Sequence, residues 1–151
     1  MRLHLSVQYG LARTGLPAKS TIRRWARAAL KGLRRRHAAL GVRIVGSAES
    51  EIYNVQFRHH RSPTNVLAFP FAAPPGARSE ILGDLVICAP VVRREARTQH
   101  KSVMAHWAHI VVHGILHLRG YDHQNRQDAR AMEKMEIRIL KKLGYASPCH
   151  S

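Results

Sequence analysis

A histidine-bearing helical segment constrains the fold of this chain more than any other feature. Its apolar spacing predicts a helix over about Ser102–Leu118, and Gly120 is expected to end that helix in a left-handed conformation. His113 and His117 are four residues apart, so they lie on one face of the helix. A chain reversal at Gly120 can then return His123 to the same place. The sequence therefore predicts three imidazoles gathered at the end of one helix.

The rest of the chain alternates strand-like and helix-like patterns. Apolar alternation or short apolar runs predict strands at Leu3–Tyr9, Val42–Val45, Val66–Phe69 and Leu82–Cys88. Helical periodicity and end signals predict helices at Pro17–Leu40, Ser47–Arg58, Val91–His100 and Asn125–Gly144. These patterns indicate one α+β (α/β-like) domain over residues 1–151, in which about five to six helices pack on a small mixed sheet.

The charge balance of the chain is extreme. Lys and Arg number 25 against 9 Asp and Glu, which gives a net charge of +16. A field of this sign favours polyanions, and binding driven by it should weaken steeply with salt. The sequence has no apolar run of membrane-spanning length and no signal-peptide pattern. Cys88 and Cys149 form no disulfide framework, so we expect a cytoplasmic protein with reduced thiols.

The three histidines have the chemistry of a metal site. Neutral imidazoles suit zinc, and also nickel, copper or iron, at zinc–nitrogen distances of about 2.0–2.1 Å. Three protein ligands leave one coordination position open, which is typical of catalytic rather than structural zinc sites. A single histidine would more often pack or face water, but three around one glycine favour metal binding. We therefore predict one zinc ion on His113, His117 and His123.

The same ligand spacing occurs in zinc peptidases. Their pattern H-E-x-x-H-x-x-G-x-x-H is matched at every ligand, but Gly114 stands where the peptidases have glutamate. That glutamate is the general base of peptide hydrolysis, so a peptidase would need a base from elsewhere. Metallopeptidase is therefore the weaker interpretation.

Three blocks of sequence resemble the YbeY family of bacterial endoribonucleases, the rRNA maturation factors. The blocks are Tyr53–Arg58 with Pro63–Pro70, Leu82–Ile87, and the histidine segment continuing to Gly144. The resemblance implies a single-strand-specific, metal-dependent endoribonuclease that acts in 3′-end maturation of small-subunit rRNA and in ribosome quality control. It also implies zinc on the three histidines and a functional arginine at Arg58. A guanidinium near the ion would stabilise the negative charge that develops during RNA cleavage.

Four further residues are candidates for the site, each with a structural alternative. Thr64 and Asn65 could line the substrate groove, although a turn role is the default. Asp122 could orient a ligand imidazole through a hydrogen bond or cap the following turn. His109 lies one helical turn before His113, where it could support the metal site or pack against a neighbouring helix.

These patterns together predict an enzyme that cleaves phosphodiester bonds of single-stranded RNA with one zinc ion. The main alternative is an RNA- or ribosome-binding assembly factor whose metal serves stability. The expected partner is precursor rRNA in the small ribosomal subunit. Ribosomal proteins or a ribosome-assembly GTPase follow as partners from the resemblance alone.

Overall fold

The computed structural model describes residues 1–57, 64–76, 79–121 and 125–145. In chain order the elements are β1 (Arg2–Tyr9), α1 (Lys19–Ala29), β2 (His37–Val45), α2 (Ser47–Phe57), β3 (Val66–Pro70), β4 (Ile81–Cys88), α3 (Ala89–Thr98), α4 (Val103–Leu118) and α5 (Arg126–Lys142). The predicted α+β class with a small mixed sheet is confirmed. Within the described ranges, none of the helices combines the length and hydropathy that a bilayer crossing requires.

The sheet has the strand order β1-β2-β4-β3, in which only β3 runs antiparallel to its neighbour. In the register of the strands, Val42 lies between Val7 and Leu85, so the three side chains share one face. In the main core that face packs against α1 and α4, and α5 packs in turn on these two helices. Val45 and Val86 point to the opposite face, where α2 covers them. The sheet is therefore enclosed on one side and only partly covered on the other.

Helix α4 lies at the centre of the core. It contacts α1, α3 and α5 as well as β3 and β4, and Trp107, Val111 and Ile115 are almost completely buried along it. Its first turn is capped by Ser102, whose hydroxyl accepts a hydrogen bond from Ala105 N at 3.0 Å. Because neighbours hold this helix on several sides, the side chains at its C-terminal end have defined positions.

The predicted helix Pro17–Leu40 is wrong in its second half. Helix α1 ends at Ala29, Gly32 turns the chain with a φ of 87°, and β2 begins at His37. Residues after the turn alternate in burial because they pair in parallel with β1. The prediction failed because Arg34–Arg36, with their good helix propensity, extend an apparent helical pattern through a turn. Strand β2 consequently begins well before the predicted start.

Candidate metal centre

Close packing of α4 on the sheet determines which way its histidines face. A Cβ added to Gly114 would lie 2.8 Å from Leu85 Cδ2 and 3.0 Å from Leu85 Cδ1. The position after His113 therefore faces the sheet and has no room for a longer side chain. This explains why glycine stands where zinc peptidases carry their catalytic glutamate, and it argues against the peptidase interpretation.

Replacing Gly114 by Ala is expected to lower the free energy of unfolding, because the cost of overpacking a dense core, about 1–3 kcal/mol, exceeds the gain in helix propensity of about 0.5–1 kcal/mol. Leu85 is fully buried, so it cannot move into solvent to make room. Gly46→Ala, directly before α2, is a control for a methyl group added in open space, because no atom lies within 4 Å of the added Cβ there. Urea denaturation of both variants measures the difference, and equal midpoints would contradict the packing argument.

His113 and His117 lie side by side on α4, where His113 faces α5. Their Nε2 atoms are 3.2 Å apart and their ring centroids 4.7 Å apart. Two imidazole nitrogens on one tetrahedral ion, each about 2.0–2.1 Å from it, are separated by about 3.3 Å. The side chain of His113 is 30% exposed, so the pair is reachable from solvent. The spacing of these two rings fits a shared metal ion.

A buried carboxylate contacts His113 at Nδ1, the ring nitrogen that does not face His117. Glu136 on α5 accepts a hydrogen bond from His113 Nδ1, and its other oxygen lies 3.6 Å from His109 Nε2. Burial raises the pKa of Glu136, but hydrogen bonds with His109 and His113 outweigh burial and lower it to about 2. The carboxylate is therefore ionised at neutral pH. Because Nδ1 of His113 carries the hydrogen, its Nε2 keeps the lone pair that a metal needs.

His109, His113 and Glu136 each offer a ligand atom within 4.8 Å of the others. This group, alone or with His117, could hold a metal ion. The ion has two possible positions. It can lie among His109, His113 and Glu136, or it can bind Nε2 of His113 together with His117. The direct hydrogen bond between His113 and Glu136 occupies Nδ1 and favours the second position.

A second polar network lies beside the first. Glu95 Oε1 accepts hydrogen bonds from Asn65 Nδ2 at 3.1 Å and from His106 Nε2 at 2.9 Å. Burial lowers the pKa of His106, although the hydrogen bond to Glu95 opposes that shift. A cavity of about 300 Å³ is lined by both networks, including Asn65, Glu95, His106, His109 and Glu136. The pocket beside the histidines is therefore polar and held in place by α3, α4 and α5.

The structure describes some of the predicted site residues and not others. Thr64 is half-buried two residues before the start of β3, and Asn65 donates a hydrogen bond to Glu95, so the predicted substrate contacts of both stay predictions. His109 Nε2 lies 3.6 Å from Glu136 on the neighbouring helix α5, which fits both of its interpretations, so the role of His109 stays a prediction. Arg58, Asp122 and His123 lie outside the described residues.

The glycine that was predicted to reverse the chain does adopt the required conformation. Gly120 has a φ of 100°, and its N–H donates to His117 O at 3.0 Å. Tyr121 N donates to Leu116 O at 3.0 Å, which completes the hydrogen-bond pattern of an α-helix that ends at a residue in the left-handed conformation. The chain therefore turns back at Gly120, three residues after His117.

Glu136 was missed by sequence reading. It lies in the apolar stripe of α5, between the buried Met132 and Ile139, and it is itself only 7% exposed. A carboxylate in such a stripe needs a partner, because an unpaired buried charge is costly. That signal was available in the sequence, but the identity of the partner was not, since His113 lies on a different helix.

The family model and the known proteins whose sequences are similar to this chain share one name. Residues 13–144 match the family model described as endoribonuclease YbeY. Proteins named endoribonuclease YbeY from Alkalilimnicola ehrlichii and Stenotrophomonas maltophilia are 55% and 48% identical to this chain. The alignments cover 97% and 98% of this chain and 90% and 94% of the relatives. The solution structure of a Thermotoga maritima protein shares the fold, with a TM-score of 0.61 at 23% identity over 93% of this chain and 91% of that one.

Proposed function

Because this chain belongs to the endoribonuclease YbeY family, we propose that it cleaves single-stranded RNA with one zinc ion held by His113, His117 and His123. The family membership supports an endoribonuclease that acts in rRNA processing, and it does not favour a purely structural assembly factor. We propose residues 1–151 as one catalytic domain.

The observation that carries the proposal is the pairing of His113 and His117. Their Nε2 atoms have the separation that two ligands of one tetrahedral ion need. Glu136 fixes the imidazole of His113 in the tautomer that presents Nε2. Gly120 turns the chain back after His117, which supports a third ligand from His123. A zinc ion bound there would act as a Lewis acid at the scissile phosphate or activate a water molecule.

The other residues of the chain would bind and orient the RNA. Arg58 is proposed to contact the scissile phosphate, where its planar guanidinium offsets the charge that develops on the phosphate oxygens. Thr64 and Asn65 are proposed to line the substrate groove near the cavity beside His109. The net charge of +16 supports attraction of the RNA as a whole.

The proposed substrate is precursor rRNA of the small ribosomal subunit, cleaved during 3′-end maturation and late ribosome quality control in the cytoplasm. Ribosomal proteins or a ribosome-assembly GTPase are proposed as partners. The proposal of an rRNA substrate rests on the shared family and on the positive charge of the chain.

A metal-defined cleavage assay tests the proposed function. Wild-type protein stripped with a chelator and reloaded with zinc should cut single-stranded RNA and leave a duplex of the same sequence intact. Arg58→Ala should lower the cleavage rate by about 10²–10³, the range seen when one group that stabilises transition-state charge is removed. Arg138→Ala, at an exposed position on α5, is the control and should cleave like wild type. RNA binding without zinc-dependent cleavage would instead indicate an assembly factor.

A further inference from the structure

A large groove lies where the connections at one end of the sheet meet. We call it the arginine groove; it has a volume of about 800 Å³ and is lined by Arg34–Arg36, His37, Phe71, Ala73, Ser79, Glu80 and Ile81. The arginines precede β2, Phe71 follows β3, and Ile81 begins β4. Three separate segments of the chain therefore build this one surface.

The arginine groove has an unusual combination of side chains. Arg34, Arg35 and Arg36 are all exposed, and Phe71 is 47% exposed. Glu80 contributes one negative charge against the three positive ones. Grooves that bind single-stranded nucleic acid combine cationic side chains for the phosphates with an aromatic side chain on which a base stacks. The excess of positive charge in the groove favours a polyanion such as RNA as its occupant.

The strands β3 and β4, whose ends border the arginine groove, contact α4. A Cβ added to Gly83 would lie 2.9 Å from Leu118 Cδ2 and 3.0 Å from Pro70 Cα, so Leu118 packs where β3 pairs with β4. Leu118 follows His117 in sequence, and Phe71 follows Pro70. The end of β3 that leads into Phe71 therefore lies close to the helix end that carries His117.

The arginine side of the groove is tied to the same helix end. Arg119 is the C-terminal cap residue of α4 and donates a hydrogen bond to Ala29 O at 2.8 Å. Ala29 is the last residue of α1, and the turn that follows it leads to Arg34–Arg36. Within the groove, Arg35 donates to Ser79 O at 2.9 Å and joins this turn to the segment before β4.

We propose that the arginine groove binds the single-stranded RNA that extends from the cleavage site. Arg34 and Arg36 contact phosphates, and Phe71 stacks on a base. This inference rests on the proposed function, because it assigns a second contact to the same RNA substrate. It explains how a small enzyme distinguishes an unpaired strand, whose bases are free to stack, from a duplex.

Binding of a fluorescein-labelled oligouridine 12-mer, followed by anisotropy in the presence of EDTA, tests the arginine groove apart from cleavage. Arg34→Gln/Arg36→Gln should weaken binding and reduce the salt slope by about 1.4, since each phosphate contact contributes roughly 0.7 for single strands. Arg93→Gln/Arg97→Gln is the matched control, with the same loss of charge at exposed positions of α3. It should keep the wild-type slope.

The aromatic contact has an independent test. Phe71→Ala should weaken binding about five-fold or more, whereas Phe71→Tyr keeps the ring and should bind like wild type. If both arginine pairs weaken binding equally, the attraction is non-specific and the inference is wrong. Wild-type affinity in the Arg34→Gln/Arg36→Gln and Phe71→Ala variants would likewise overturn it and leave the groove to another partner. Either result would leave the proposed zinc-dependent cleavage standing, because the metal-defined cleavage assay tests it separately.

Discussion

Replacing His117 by Ala is expected to abolish both zinc retention and RNA cleavage. His117 Nε2 lies 3.2 Å from His113 Nε2, so its loss removes one of the two described ligands of the proposed ion. The fall in zinc affinity should exceed the roughly 10- to 100-fold loss that is typical when only a supporting group is removed. Competition with a chromophoric chelator measures the affinity, and a gel assay on single-stranded RNA measures cleavage.

The control for this experiment is another histidine on a different part of the surface. His4→Ala, at an exposed position of β1, should leave zinc affinity and cleavage unchanged. His117→Ala should also remain folded, because its side chain is only partly buried and is not part of the hydrophobic core, and circular dichroism checks this. Zinc affinity and cleavage at wild-type levels in folded His117→Ala would show that the ion lies elsewhere, for instance among His109, His113 and Glu136.

The helix that carries the candidate site was predictable from sequence because its signals are local. Ser102 caps the start, apolar residues recur with the helical period, and Gly120 has the conformation that only glycine adopts easily. The spacing of His113 and His117 then places the two rings together without any tertiary information. Local patterns were sufficient to predict the structure where the relative positions of the side chains depend on a single helix.

The parts that sequence reading missed depend on contacts between distant segments. Gly32 turns the chain after α1, but the strand from His37 is held by its pairing with β1, which the helical pattern through Arg34–Arg36 does not reveal. The arginine groove likewise unites Phe71 with residues far away in the chain. Side chains that are brought together by topology alone leave no spacing signal in the sequence.

Glu136 is likewise brought to His113 by the fold alone. Its replacement is the second substitution for which we expect a large effect. Glu136→Gln is expected to lower zinc affinity by about 10- to 100-fold while the protein still binds zinc at higher concentration. The amide keeps the shape of the carboxylate but loses the charge that makes it a strong acceptor for His113 Nδ1. The same chelator competition measures the change, and Glu51→Gln, at an exposed position on α2, is the control.

Spectroscopy separates this positioning role from direct ligation. X-ray absorption of the zinc-loaded wild type and Glu136→Gln should give the same first coordination sphere if Glu136 acts only through His113. Nitrogen NMR of His113 should show the hydrogen on Nδ1 in the wild type and a mixture of tautomers in the variant. A zinc–oxygen ligand that disappears in Glu136→Gln would contradict this role and place the ion beside the carboxylate. Because the hydrogen bonds with His109 and His113 hold the pKa of Glu136 at about 2, both experiments at neutral pH compare an ionised carboxylate with a neutral amide.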